Sequence, residues 1–120
     1  MFIRDLKDRP EFLAGDGTVL RELFNPLTDG LNLRYSLANA RLAPGLTSLL
    51  HRLATSEVYY ILEGEGLMEI DGETRTVTPG QAVYIPPGAA QRITSTGAAE
   101  LVFICMVDPA WRVEDEEIIR

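Results

Sequence analysis

The regular recurrence of turn-forming residues is the feature that most constrains the fold of this chain. Clusters containing glycine or proline interrupt the sequence every several residues, and the runs between them are rich in Val, Ile, Leu, Tyr and Thr. The clusters are Pro44-Gly45, Gly64-Glu65-Gly66, Asp71-Gly72, Pro79-Gly80, Pro86-Pro87-Gly88 and Ser95-Thr96-Gly97. Short β-prone runs between frequent turns are typical of an antiparallel sandwich or barrel, so the sequence predicts an all-β fold.

The pair Asp71-Gly72 is the sharpest of these turn signals, because a strand-like run lies on each side of it, at 67–70 and 73–77. Glycine tolerates a positive φ, which a two-residue hairpin turn requires. We therefore predict a tight hairpin here. Further strands are predicted at 18–24, 33–42, 47–53, 57–62, 82–85, 91–94 and 101–107.

The chain has 120 residues, a length that fits one domain, which we assign to residues 1–120. Residues 1–17 are predicted to form an N-terminal arm, and the segment from Pro109 onward is predicted to hold one short helix. Hydrophobic residues make up 46% and charged residues 24%, a balance that excludes disordered and fibrous classes.

The net charge of -7 argues against nucleic acid and anionic membranes as partners, because phosphate binding needs clustered Lys and Arg. Much of the acidity lies in the run Glu114-Asp115-Glu116-Glu117, which is predicted to be a solvated end. The first residues are charged and contain no apolar signal core, and the longest apolar run, 101–107, is too short to span a bilayer. A cytoplasmic location is therefore expected.

Two residues that often carry chemistry are predicted to be structural instead. Cys105 is the single cysteine and lies inside the apolar run 101–107, so it is predicted to be a buried core thiol rather than a nucleophile. Trp111 follows Pro109 and is predicted to pack the C-terminal segment rather than to bind a ligand.

Strand parity predicts that something covers the outer face of the fold. In the run 57–62, one face holds Glu57, Tyr59 and Ile61, and the other holds Val58, Tyr60 and Leu62. Both faces are substantially apolar, whereas a strand with one wet face alternates with polar residues. We favour a homodimer as the cover. The alternative is cover by the N-terminal arm of the same chain.

Two groups of residues follow fixed spacings. The first consists of Gly45, His51, Leu53, Glu57 and Gly64, and the second consists of Gly80, Pro86, Gly88, Gln91 and Ser95. These spacings resemble the two cupin motifs, G-x5-H-x-H-x3-E-x6-G at residues 45–64 and G-x5-P-x-G-x2-H-x3-N at residues 80–95. Seven of the ten defining positions match. The chain thus resembles a small single-domain cupin of the conserved-barrel type.

This resemblance implies a double-stranded β-helix, or jelly-roll, barrel that is usually dimeric and related to the RmlC-like cupins. It also implies three His and one Glu that converge on a divalent metal inside the barrel. The chain departs from that pattern, because Leu53 and Gln91 stand where two of the histidines belong and Ser95 replaces the closing Asn. The metal motif is therefore degraded.

The residues left at the motif positions define the candidate site. His51 and Glu57 are the candidate catalytic residues, and with Gln91 they are the candidate metal ligands; Leu53, Tyr59 and Gln91 are expected in the pocket. Such a set would hold one divalent transition metal (Zn, Ni, Mn, Fe or Cu) only weakly, or hold none.

Three functions remain open at this point. The first is a metal-dependent cupin with oxygenase, isomerase or decarboxylase activity on a small molecule. The second is a metal-free cupin that binds a small organic ligand, either as a sensor or as an isomerase or cyclase in which His51 and Glu57 are an acid–base pair; Leu53 favours it by making the pocket more apolar. The third is a non-catalytic interaction module.

Overall fold

Eleven strands form the computed structural model, which describes residues 1–120. They are β1 (Glu11–Leu13), β2 (Val19–Phe24), β3 (Ser36–Leu42), β4 (His51–Leu53), β5 (Ser56–Glu63), β6 (Gly66–Ile70), β7 (Glu73–Val77), β8 (Ala82–Ile85), β9 (Gln91–Ser95), β10 (Leu101–Asp108) and β11 (Glu116–Ile118). The only helical elements are the single-turn α1 (Pro26–Asp29) and two 3-10 turns, Leu6–Asp8 and Val113–Asp115. The all-β prediction is confirmed, and the expected C-terminal helix is reduced to the second 3-10 turn.

The strands form two antiparallel sheets with the order β1-β2-β3-β10-β5-β8 and β11-β4-β9-β6-β7. A core of 12 buried residues contributed by both sheets lies between them, as in a jelly-roll barrel. Strand β10 illustrates the packing, because Leu101, Phe103, Cys105 and Val107 alternate along it and are all buried. Cys105 is 9% exposed and belongs to this core, as the sequence predicted.

The predicted hairpin at Asp71-Gly72 is confirmed. Ile70 of β6 pairs with Glu73 of β7, so two residues form the loop. Asp71 has a φ of 48° and Gly72 a φ of 84°. Positive φ at both central positions is the backbone of a type I′ turn, whose twist matches that of the flanking strands.

Two three-residue strands, β1 and β11, were not predicted, because neither alternates clearly between apolar and polar residues. β1 pairs with β2, and β11 pairs with β4, with Glu116 opposite Leu53. The prediction that residues 114–117 are a solvated end is therefore wrong for Glu116. A sheet edge leaves backbone N–H and C=O groups unpaired, and β11 satisfies those of β4.

The outer face of β5 is uncovered within the chain. Tyr59 and Ile61 are buried on the inner face, whereas Tyr60 and Leu62 are 46% and 42% exposed. The N-terminal arm lies along β2, where the Arg9 Nε atom donates to the Glu22 carbonyl. Strand β2 is near one edge of this sheet, and β5 and β8 are at the other edge. Cover of this face by the chain's own arm is thus excluded.

The segment before β2 and the segment after β11 both contact the residues that lead into β4. The Leu49 amide donates to the Asp16 carbonyl over 2.6 Å, and the Ile119 amide donates to the Leu50 carbonyl over 2.9 Å. These bonds hold the residues before β2 and after β11 against the segment that leads into β4.

The helical elements of the structure are single turns, and none of them could span a bilayer.

Candidate functional site

A cavity of about 240 Å³ opens between the sheets, and residues before β2 and Glu116 of β11 are part of its lining. Eleven of its 19 lining residues are hydrophobic, among them Leu53, Phe103 and Trp111. The polar and charged lining residues outside this apolar set include Asp16, Thr18, Glu22, Ser36, His51, Glu57 and Glu116. A mostly apolar cavity with a few convergent polar groups is the usual form of a small-molecule site.

His51 lies at the start of β4, between Gln91 of β9 and Ile118 of β11, and is 2% exposed. Its Nδ1 atom lies 2.7 Å from the carbonyl oxygen of Leu49. A carbonyl can only accept a hydrogen bond, so Nδ1 carries the hydrogen and, in the neutral ring, Nε2 is the free base. Nε2 lies 3.6 Å from Oδ2 of Asp16.

Asp16 was not among the sequence candidates, although it is buried beside His51. Its Oδ1 atom accepts hydrogen bonds from the Thr18 amide at 3.0 Å and from the Thr18 hydroxyl at 2.7 Å. These bonds form a local turn that fixes the carboxylate and leaves Oδ2 directed at the imidazole. The signal in the sequence was the turn segment Asp16-Gly17-Thr18, which no motif singled out.

Glu57 lies on the inner face of β5 and joins a buried hydrogen-bonded chain. Gln91 donates from Nε2 to Oε1 of Glu57 over 2.9 Å, and the Tyr59 hydroxyl donates to Oε1 of Gln91 over 3.0 Å. Gln91 is 0% exposed and lies behind these two residues rather than in the cavity wall. The amide therefore uses its donor on Glu57 and its acceptor on Tyr59.

Burial makes Glu57 a neutral acid. The pKa of the Glu57 carboxyl is raised from its ordinary 4.5 to about 8. Removal from water is the largest cause of the shift. The Gln91 hydrogen bond lowers the pKa, and the charges of Asp16 and Glu116 raise it. At pH 7 the protonated form of this carboxyl therefore predominates. Burial also raises the pKa of Tyr59 and of Cys105 well above their ordinary values, so both are neutral.

The residues at the motif positions do not fit a metal ion. Leu53 offers no donor atom, and the oxygen of Gln91 already accepts the Tyr59 hydrogen bond. The Oε1 atom of Glu57 already accepts a hydrogen bond from Gln91. No three His, Cys, Asp or Glu side chains converge in a way that could hold a metal. His51, Leu53 and Glu57 thus line one cavity, and Gln91 is hydrogen-bonded to Glu57.

Glu116 and Trp111 complete the cavity, and the sequence analysis placed neither there. The Trp111 indole Nε1 donates to Oε2 of Glu116 over 3.1 Å. Gly15 makes room for the same carboxylate, because a Cβ at this position would lie 2.6 Å from Oε1 of Glu116. Trp111 therefore lines the cavity as well as packing the C-terminal segment.

Comparison with known proteins agrees with this architecture. An uncharacterized protein of Methanocaldococcus jannaschii is 40% identical over 111 residues, covering 91% of this chain and 87% of that protein. The oxalate-binding protein of Thermotoga maritima is 31% identical over 71 residues, 58% of this chain and 59% of that protein. The crystal structure of a cupin 2 conserved barrel domain protein from Salinispora arenicola has a TM-score of 0.78 at 21% identity, covering 95% of this chain and 91% of that one.

Similar proteins span several kinds of reaction. They include proteins named as a 1-hydroxy-2-naphthoate 1,2-dioxygenase and a glucose-6-phosphate isomerase, of which this chain spans 23% and 30%. Structural neighbours include an oxalate decarboxylase and a nucleoside dehydratase. The family model described as the cupin domain matches residues 39–107. Because this match covers more than half of the chain, the protein belongs to the cupin family.

Proposed function

We propose that the barrel binds a small organic molecule and transfers a proton to and from it by metal-free acid–base chemistry. The observation that carries the proposal is that the neutral carboxyl of Glu57 and the imidazole of His51, whose Nε2 atom is not used by the Leu49 carbonyl, line one cavity. A carboxyl kept protonated by burial beside an imidazole nitrogen is an arrangement suited to general acid–base catalysis.

His51 is the base in this proposal. Nδ1 is tied to the Leu49 carbonyl, so Nε2 is available to take a proton from carbon or oxygen of the bound molecule. The Asp16 carboxylate, 3.6 Å from Nε2, stabilises the imidazolium that results. Asp16 is thus a positioning and charge-stabilising residue.

Glu57 is the acid. While His51 takes a proton from the ligand, Glu57 gives its own proton to a carbonyl oxygen or to a departing hydroxyl. The first case is enolisation, the first half of an isomerisation; in the second, water leaves and a double bond forms. Either way one proton enters His51 and one leaves Glu57, and solvent or the product restores both. Gln91 then stabilises the carboxylate through its 2.9 Å hydrogen bond.

A ligand screen followed by isotope exchange tests the proposal. Metabolites are screened by thermal shift, and a binder at about a hundred times its Kd is expected to add about 2.7 kcal/mol to the free energy of unfolding. Each binder is then followed by NMR in D2O for deuterium uptake. We expect uptake with the wild type and its loss in both His51→Gln and Glu57→Gln, with Glu73→Gln, an exposed carboxyl on β7, as the control. No stabilising metabolite, or equal uptake in all four proteins, contradicts it.

Metal content distinguishes this proposal from a metal-dependent cupin that uses His51, Glu57 and Gln91 as ligands. Protein expressed with added Zn, Ni, Mn, Fe and Cu is analysed by elemental mass spectrometry. We expect far less than one metal ion per chain. A stoichiometric metal that His51→Ala releases would replace the acid–base proposal with the metal-dependent one.

A further inference from the structure

The hydrogen-bonded chain that ends at Glu57 has a direction. The Tyr59 hydroxyl donates to Oε1 of Gln91 over 3.0 Å, and Nε2 of Gln91 donates to Oε1 of Glu57 over 2.9 Å. A side-chain amide has its acceptor on one atom and its donors on another, so turning it over reverses both of its hydrogen bonds. In this structure the bonds run from Tyr59 through Gln91 to Glu57.

The Tyr59 hydroxyl sets this direction. Tyr59 is 2% exposed, and burial raises the pKa of its hydroxyl well above the ordinary value, so the group keeps its proton. Gln91 is the only hydrogen-bond partner of this hydroxyl within the protein. If the amide of Gln91 turned over, its NH2 group would face the hydroxyl, and the buried hydroxyl proton would have no acceptor. The carbonyl oxygen of Gln91 is therefore held toward Tyr59.

The direction of the chain determines which oxygen of Glu57 carries the proton. Oε1 accepts the Gln91 hydrogen bond, and Oε2 forms no hydrogen bond within the protein. Oε2 is not one of the fully buried atoms that lack a partner, so it keeps exposed surface, and Glu57 lines the cavity. An oxygen that carries the proton is a poor acceptor, so the proton of the neutral carboxyl lies on Oε2. This proton is thus free to be donated into the cavity.

The reversed chain would disable the acid. With its carbonyl oxygen toward Glu57, Gln91 would accept the carboxyl proton from Oε1, and this proton would be directed away from the cavity. Oε2 would then be a carbonyl oxygen, which can only accept a hydrogen bond. Both orientations of Gln91 give Glu57 a hydrogen bond, so Glu57 does not choose between them. The group that distinguishes the two orientations is the hydroxyl at the other end of the amide.

We propose that Tyr59 is a positioning residue that, through Gln91, directs the acidic proton of Glu57 into the cavity. The inference rests on the proposed function, in which Glu57 is the acid. Packing of the Tyr59 ring does not require the hydroxyl, because the ring contacts Phe103 with 4.4 Å between the centroids and Tyr59→Phe keeps that contact. Loss of the hydroxyl alone should therefore allow Gln91 to turn over within a folded barrel.

NMR spectroscopy of the unliganded protein at pH 6 tests the orientation of Gln91. The chain has one other glutamine, so Gln81→Ala leaves only the side-chain amide protons of Gln91 in the glutamine spectrum. In the wild type we expect these protons to give stronger NOEs to the Glu57 side chain than to the ring at position 59. In Tyr59→Phe we expect the reverse order. Tyr60→Phe removes the hydroxyl of a 46% exposed tyrosine on the outer face of β5 and should keep the wild-type pattern.

The consequence for proton transfer is measured with a metabolite that takes up deuterium in the presence of the wild type. We expect Tyr59→Phe to lower the rate of uptake about tenfold or more while Kd changes by less than about twofold, because a positioned general acid contributes at least this much to the rate. Tyr60→Phe should change neither quantity. An unchanged NOE pattern in Tyr59→Phe, or a turned amide with an unchanged rate, would overturn the positioning role. The NOE measurement uses no ligand, so it establishes the orientation of Gln91 even where the wild type shows no uptake, an outcome that contradicts the proposed function.

Discussion

Gln91 holds Glu57 through a 2.9 Å hydrogen bond from Nε2 to Oε1, while its own Oε1 accepts the Tyr59 hydroxyl at 3.0 Å. Gln91 stands where the second cupin motif has a histidine. A metal-binding histidine at this position would keep the lone pair of one ring nitrogen free for the metal. The amide of Gln91 instead forms hydrogen bonds with two buried side chains, Glu57 and Tyr59. Leu53 stands in place of the second histidine of the first motif, so this position supplies no nitrogen that could bind a metal ion. The two changes are thus consistent with one another, and both favour a hydrogen-bonded site.

Replacement of the buried amide should cost stability. Gln91→Ala leaves the Tyr59 hydroxyl and Glu57 without partners and opens a cavity, so we expect a loss of about 3 kcal/mol in the free energy of unfolding, measured by urea denaturation. Gln81→Ala removes an exposed glutamine and should cost about 0.5 kcal/mol. A similar small loss in both variants would contradict the network.

Stability should fall with rising pH because of Glu57. Its pKa is about 8 in the folded protein and 4.5 in the unfolded chain, so between these values the folded state holds a proton that the unfolded state has released. The contribution is complete below pH 4.5 and is lost as the pH rises through 8. The expected slope is about -1.4 kcal/mol per pH unit.

The comparison with Glu57→Gln isolates this slope. The variant keeps a carbonyl oxygen for the Gln91 hydrogen bond but has no proton to lose, so its stability should be nearly flat from pH 5 to pH 8. Asp29 and Asp115 have lowered pKa values and act at lower pH, outside this window. Urea denaturation at several pH values measures the difference, and parallel profiles would show that Glu57 is ionised in the fold.

The barrel could be predicted because its determinants are local. The hairpin at Asp71-Gly72 follows from backbone sterics, and the alternation along β10 follows from strand geometry. His51 and Glu57 could be identified as cavity residues because their spacing resembles the first cupin motif, which implies that both lie inside the barrel.

The missed part of the site depends on pairings between distant segments. Asp16 reaches His51 only because its backbone carbonyl accepts the Leu49 amide, and Glu116 reaches the cavity only because β11 pairs with β4. Neither segment has a periodic pattern, and a run of acids near a chain end ordinarily indicates solvent. Asp16 and Glu116 thus lie in segments whose composition predicts solvent exposure, which is why the sequence analysis did not identify them.

Two glycines with similar φ angles should respond very differently to substitution. Gly64 has a φ of 80°, and a Cβ there would lie 2.5 Å from the backbone oxygen of Glu100. Gly72 has a φ of 84° and open space around the Cβ position. We expect Gly72→Ala to cost about 1 kcal/mol of unfolding free energy and Gly64→Ala about 3 kcal/mol or more, because only the second adds a backbone clash. Equal costs would show that the Glu100 segment moves aside freely.

The uncovered face of the six-stranded sheet should form a homodimer. Cross-strand pairing aligns Ile104, Tyr60 and Ala82 in one row and Met106, Val58 and Tyr84 in the next, so β10, β5 and β8 present one continuous apolar surface. A second copy of this surface is its simplest complement, because a two-fold axis pairs like with like. Light scattering should give twice the 13.3 kDa chain mass. Tyr84→Lys should shift the mass toward the monomer, whereas Leu67→Lys, on the other sheet, should not; a monomeric wild type at high concentration would contradict the dimer.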